Sequence, residues 1–165
     1  MLARAAHRVR QFIGALRPHV APAERADAYR CLNEAQRAVF ESMMLRDQQH
    51  GIEVFRRVRA AAASDDPPLF AAALLHDCGK GRVALWQRVA HVVLGVMAPP
   101  MRRRIAGEHG SAWRQAFWRL LHHPEIGAEM VARAGADPDT IRMIREQDAE
   151  SPDQRLALLQ AADEA

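Results

Sequence analysis

Along the whole chain, apolar residues return at three- and four-residue spacing, and no stretch of four or more residues alternates apolar with polar between turn signals. The pattern predicts an all-α protein, with helices over 2–16, 24–42, 44–62, 68–78, 83–97, 111–122, 124–134, 138–147 and 152–163. Several ends carry their own chemistry. Asp137 before Pro138 and Ser151 before Pro152 each set an N-cap acceptor ahead of a proline at the first helical position. Gly135 supplies the stop for the helix before it. The helix opened by Pro67-Pro68 runs Leu69-Phe70-Ala71-Ala72-Ala73-Leu74-Leu75, and a helix without a polar face belongs at the centre of a bundle. Trp113, Phe117, Trp118 and Leu121 follow helical spacing and read as core, so no nucleic-acid surface is expected from them.

Composition narrows the class. The chain has 165 residues, 49% of them hydrophobic, enough for one domain with a buried core. Residues 1–43 are expected to pack on or flank a domain over 44–165, in a single structural unit. Cys31 and Cys78 form no CxxC spacing, which excludes a zinc ribbon or a disulfide framework; Cys78 reads as a small core residue, with an oxidation-sensitive switch as the other reading. The longest apolar stretch, Val89 to Ala98, is about half of the roughly 20 residues a bilayer span needs, so no membrane crossing is expected, while the unpaired thiols suit a cytoplasmic location. The segment MLARAAHRVRQFIGALRP is basic and amphipathic, lacks a compact apolar core and a small-residue cleavage site, and reads as a first helix.

Net charge is +3, and 22 of the 23 basic residues are Arg, so the only lysine, Lys80, calls for an explanation. The run Arg102-Arg103-Arg104 after Pro99-Pro100 reads as a solvated loop, with phosphate or acidic-lipid binding as the other use of such a charge run.

The central apolar helix ends in His76-Asp77-Cys78-Gly79-Lys80-Gly81, delivering an imidazole and a carboxylate from a buried stem into a glycine-punctuated loop. Neighbouring helical residues point about 100° apart, yet both reach a cation set beyond the helix end, where the last carbonyls favour positive charge. Upstream, His50 precedes Gly51 on a helix whose buried side is marked by Ile52, Phe55 and Val58. Glycine costs a mid-helix position roughly 1 kcal/mol against alanine, so something must approach the backbone closely there. Near the other end, Asp163 is a lone carboxylate on the last turn of an apolar helix.

The segments QHGIEVFRRV, AALLHDCGKG, HHPEIGAEMV and LLQAADEA, in that order over residues 44–165, resemble the HD superfamily of metal-dependent phosphohydrolases. The resemblance implies a compact HD-type helical bundle in which His50, His76, Asp77 and Asp163 hold a divalent metal. Two imidazoles and two carboxylates suit Mn, Fe, Co, Ni, Zn or Mg and leave the choice open. Asp77 would share in catalysis as a ligand, and Lys80 would reach a phosphate oxygen.

His123-Pro124-Glu125-Ile126-Gly127 is similar to the HPxxG motif of the HD-GYP branch, where the matching His helps bind a second metal. This chain departs from that pattern at Gln147-Asp148, where a His pair would follow, and it lacks the GYP signature. A second ion would need His123 and Asp148. Without it, His123 becomes an acid/base or phosphate contact; it is preferred to His122 on the motif.

His91 reads as a core or interface residue and His109 as a loop residue. The expected activity is phosphohydrolysis of a small phosphorylated substrate, a nucleotide or phosphate ester. The rival is a catalytically reduced HD domain that binds a metal or nucleotide as a regulatory module. A peripheral membrane-surface role, through the N-terminal basic segment and Val89 to Arg104, is a third reading.

Overall fold

The computed structural model describes residues 19–165 and is all-helical there, with nine α-helices and no strand among the described residues. The helix expected over 2–16 lies outside the described residues.

The elements are α1 (Pro22–Arg30), α2 (Glu34–Ser42), α3 (Leu45–Ala61), α4 (Pro67–Leu75), a single 3-10 turn (Cys78–Lys80), α5 (Leu85–Met97), α6 (Pro99–Ile105), α7 (Ala112–Arg133), α8 (Pro138–Arg145) and α9 (Gln154–Glu164). Helix α4 is central, with every residue from Leu69 to Leu75 buried, and α3, α8 and α9 pack around it. Phe55 and Phe70 meet edge to face at 5.6 Å in this core, which also takes in Ala28 and Phe40 from the first two helices and Leu32 from the link between them.

Side-chain caps start four of the nine helices. Asp66 caps α4 by accepting from the Leu69 amide at 3.1 Å, and Asp137 caps α8 by accepting from Asp139 at 2.8 Å. Arg155 of α9 then ties both ends together, reaching Asp66 at 2.8 Å and Asp139 at 2.7 Å.

Six expectations need correction. The helix expected over 24–42 is two, because Asn33 caps α2 and forms a reciprocal capping box with Gln36. The expected 68–78 helix stops at Leu75, and His76-Asp77 turn into the 3-10 turn. Ser151 does not cap the last helix; Asp153 does, its carboxylate accepting from the Arg155 amide at 2.9 Å. The arginine run is not a loop but the end of helix α6, started by Pro99 and Pro100. Trp113 is 42% exposed, so Phe117 and Leu120 supply the buried positions of that stretch. The two helices expected over 111–134 run on as α7, with a kink at His122 (φ −117°, ψ 17°). Pro124 causes it, since a proline lacks the amide for the i−4 carbonyl and its ring crowds that carbonyl.

Candidate metal centre at the end of the central helix

Four side chains from three elements converge beyond the C-terminal end of α4. His50 comes from α3, His76 and Asp77 from the α4 exit, and Asp163 from the last turn of α9. Ligand-capable atoms of His50, His76 and Asp77 all lie within 4.8 Å of one another. Asp163 Oδ1 sits 2.6 Å from His50 Nε2 and 3.4 Å from His76 Nε2.

Local backbone chemistry aims the imidazoles. Helix α4 leaves its last carbonyls without helical donors, and His76 Nδ1 takes the Ala73 carbonyl at 3.0 Å. The same logic operates in α7, where Pro124 cannot donate to Leu120. His123 Nδ1 uses that freed carbonyl at 3.1 Å. Each ring therefore carries its proton on Nδ1 and turns Nε2 inward. His76 Nε2 is buried and makes no hydrogen bond, although Asp77 Oδ1 lies 3.5 Å away.

Two glycines let the elements close in. A Cβ on Gly51 would stand 2.6 Å from the Leu74 carbonyl oxygen, so the group that approaches the backbone beside His50 is α4 itself. A Cβ on Gly79 would stand 2.1 Å from the His123 carbonyl oxygen and 2.7 Å from the Gly127 amide. The 3-10 turn can thus lie flat on α7, and Cys78 donates to the Gly127 carbonyl at 3.7 Å.

Asp163 is held from its flank. Arg57, two turns after His50 on α3, donates to the Ala162 carbonyl at 2.9 Å, while Leu156, Leu159 and Ala162 are buried. A cation at a helix C-terminus satisfies its open carbonyls.

The electrostatics follow from burial and proximity. Burial pushes the Asp77 carboxyl up, but Lys80 and the imidazoles of His76, His50 and His123 outweigh it and hold the group ionised, well below the usual carboxylate range. For Asp163 burial again acts upward, and His50 and His76 more than reverse it. Burial alone would lower His76; Asp77 and Asp163 raise it instead. His123 is lowered by burial and by Lys80. Burial and the Asp77 charge push the Cys78 thiol up to about 12, which leaves it protonated and unreactive.

The remaining candidates fall at different distances from this centre. Lys80 Nζ lies 2.6 Å from Asp77. His123 Nε2 is 3.8 Å from Asp77 Oδ1, whereas His122 is exposed and rests on the Trp118 ring at 4.9 Å. Asp148 is exposed in the turn after α8 and influences His123 only through its charge. Sequence reasoning assigned no part to Gln147 beyond being a poor ligand. Its side chain donates to the His76 carbonyl at 3.1 Å. Gln160 in turn donates to the carbonyls of Gln147 and Ala149 at 2.9 and 2.8 Å.

No family model matches the chain, and neither a curated protein nor a solved structure does.

Proposed function

We propose that this centre is a mononuclear metal site of the HD type and that the protein is a phosphohydrolase acting on a small phosphorylated substrate, a nucleotide or phosphate ester. The observation that carries the reading is the His76 ring. Its Nδ1 is satisfied by Ala73, and its buried Nε2, without a hydrogen bond, faces two ionised carboxylates and a second imidazole. An orphaned buried nitrogen costs stability unless something occupies its lone pair, and a divalent cation meets that need while neutralising the carboxylates.

His50, His76, Asp77 and Asp163 would hold the ion. When bound, such an ion supplies an acidified water and a counter-charge for the phosphoryl group. The remaining work belongs to the chain's own side chains. Lys80, 21% exposed in its side chain, spans from Asp77 to the open side and offers an ammonium to a phosphate oxygen. His123 presents Nε2 from the facing helix as a hydrogen-bond partner for substrate or water. Gln147 and Arg57 position His76 and Asp163 without touching substrate.

The test is metal content by mass spectrometry of protein purified with and without oxygen, beside His76→Ala and Asp77→Ala. One transition ion per chain, lost in both variants, together with metal-dependent release of phosphate from nucleotides or phosphate esters, is the expected result. No metal uptake even after soaking with Mn, Fe, Co, Ni, Zn and Mg would overturn it.

The second reading is a regulatory module that binds a metal or nucleotide without turnover. It is favoured by Gln147, whose side chain is committed to the His76 carbonyl where a ligand to a second ion would stand. Metal-dependent stabilisation with no hydrolysis of any phosphate ester would select that reading.

A further inference from the structure

Helix α5 is amphipathic the wrong way round. None of its residues is buried, and Trp86, Val89, Val93, Val96 and Met97 form one outward stripe, continued by Met101 of α6. Its polar positions point inward instead. Arg88 forms a two-pronged ion pair with Asp47 of α3 at 2.8 and 2.7 Å, and His91 lies between Phe117 and Arg102, whose guanidinium covers Gly95. A helix that spends its polar side chains on its own protein and turns valines to the outside has an apolar partner elsewhere.

The charge around the stripe identifies the partner. Between Asp77 and Glu108 there is no acidic residue, while Arg82, Arg103 and Arg104 are exposed and have no ion-pair partner among the described residues. Val96 and Met97 are 81% and 80% exposed, beside Pro99-Pro100, so the apolar stripe ends in a projecting tip with the arginines next to it.

We propose that the outward face of α5 and α6 docks on an anionic phospholipid bilayer. Valine, methionine and tryptophan side chains enter the interfacial layer, and Arg82, Arg103 and Arg104 meet the phosphates, the arrangement of a helix lying in the membrane plane. No helix among the described residues is long and apolar enough to cross a membrane. A second copy of the chain is the poorer occupant, because a two-fold interface on this face would bring arginines together with no acid to pair them. An acidic protein groove fits the charge but not a projecting tip.

The full chain is sedimented with phosphatidylcholine vesicles and with vesicles containing about 30% phosphatidylglycerol, at low and high salt. The expected result is binding to the anionic vesicles only, reduced about tenfold by high salt, with a blue shift of tryptophan emission that Trp86→Phe removes. Val93→Glu with Val96→Glu, and separately Arg103→Gln with Arg104→Gln, should abolish sedimentation while leaving circular dichroism and melting unchanged. Equal binding to neutral vesicles, no binding to either, or binding that survives both double variants overturns the proposal. A concentration-dependent dimer dissolved by Val96→Glu, with no vesicle binding, would assign the face to a second copy instead.

Discussion

The side-chain amide of Gln147 donates to the backbone carbonyl of His76, 71 residues away in sequence, at 3.1 Å. That bond joins the turn after α8 to the residue that presents the central imidazole, and Gln160 fixes the turn from α9. In the proposed metal centre, Gln147 therefore positions a ligand through its backbone and would not itself touch the ion.

Replacing Gln147 by Ala leaves the His76 carbonyl without this donor and frees the exit of α4 to move. Outer partners of metal ligands typically govern affinity by about 10- to 100-fold. Gln147→Ala is expected to weaken Mn or Co binding by about tenfold with little change in helical content, read by calorimetric titration. Unchanged affinity would remove Gln147 from the site.

Arg57 makes a similar connection for Asp163, through the Ala162 carbonyl. Losing it opens the last turn of α9 while the buried Leu156 and Leu159 still hold the helix. Arg57→Ala should cost about 1 kcal/mol in denaturant unfolding and weaken metal binding, whereas Arg56→Ala, whose side chain pairs with Glu24 away from the centre, should leave metal binding intact.

Gly79 and Gly95 make opposite demands. A methyl group on Gly79 meets backbone at 2.1 Å, so Gly79→Ala must separate the 3-10 turn from α7, at a cost of about 3 kcal/mol or more. On Gly95 it meets the end of the flexible Arg102 side chain, which can swing aside, so Gly95→Ala should stay within about 1 kcal/mol of the parent. Urea midpoints of the two variants give the comparison directly.

His91 sets a pH dependence. Burial, with Arg102 of α6, His123 of α7 and Lys80 of the 3-10 turn facing it, lowers its pKa to about 4 from the ordinary 6.5. Between these two values the unfolded chain binds a proton that the folded one refuses, so this group's contribution to stability is complete above 6.5 and is lost as pH falls toward 4. Melting temperatures of the parent and His91→Gln should converge as pH falls through that window. A constant difference across it would contradict the sign.

What was legible from sequence is what is decided within a few residues of chain. The apolar run from Leu69 to Leu75 could only be a central helix, and Pro124 implied a break in helical bonding at His123. His76-Asp77 next to a glycine marked a cation-seeking exit, and Gly51 implied a close approach, here made by Leu74. Other features needed neighbours distant in sequence. Gln147 became a brace only because α8 packs on α4, and Asp163 escapes the isolation of a terminal turn only because His50 on α3 meets its carboxylate and Arg57 holds the neighbouring Ala162 carbonyl. The sequence offers the stretch from Val89 to Arg104 as a membrane-surface segment, but which side of α5 faces the protein was decided by Asp47, whose buried carboxylate draws Arg88 inward. Hydrophobic periodicity and caps act along the backbone and can be read from it, whereas the pairing of charges and the filling of carbonyls act through space, where only the packed helices determine who stands next to whom.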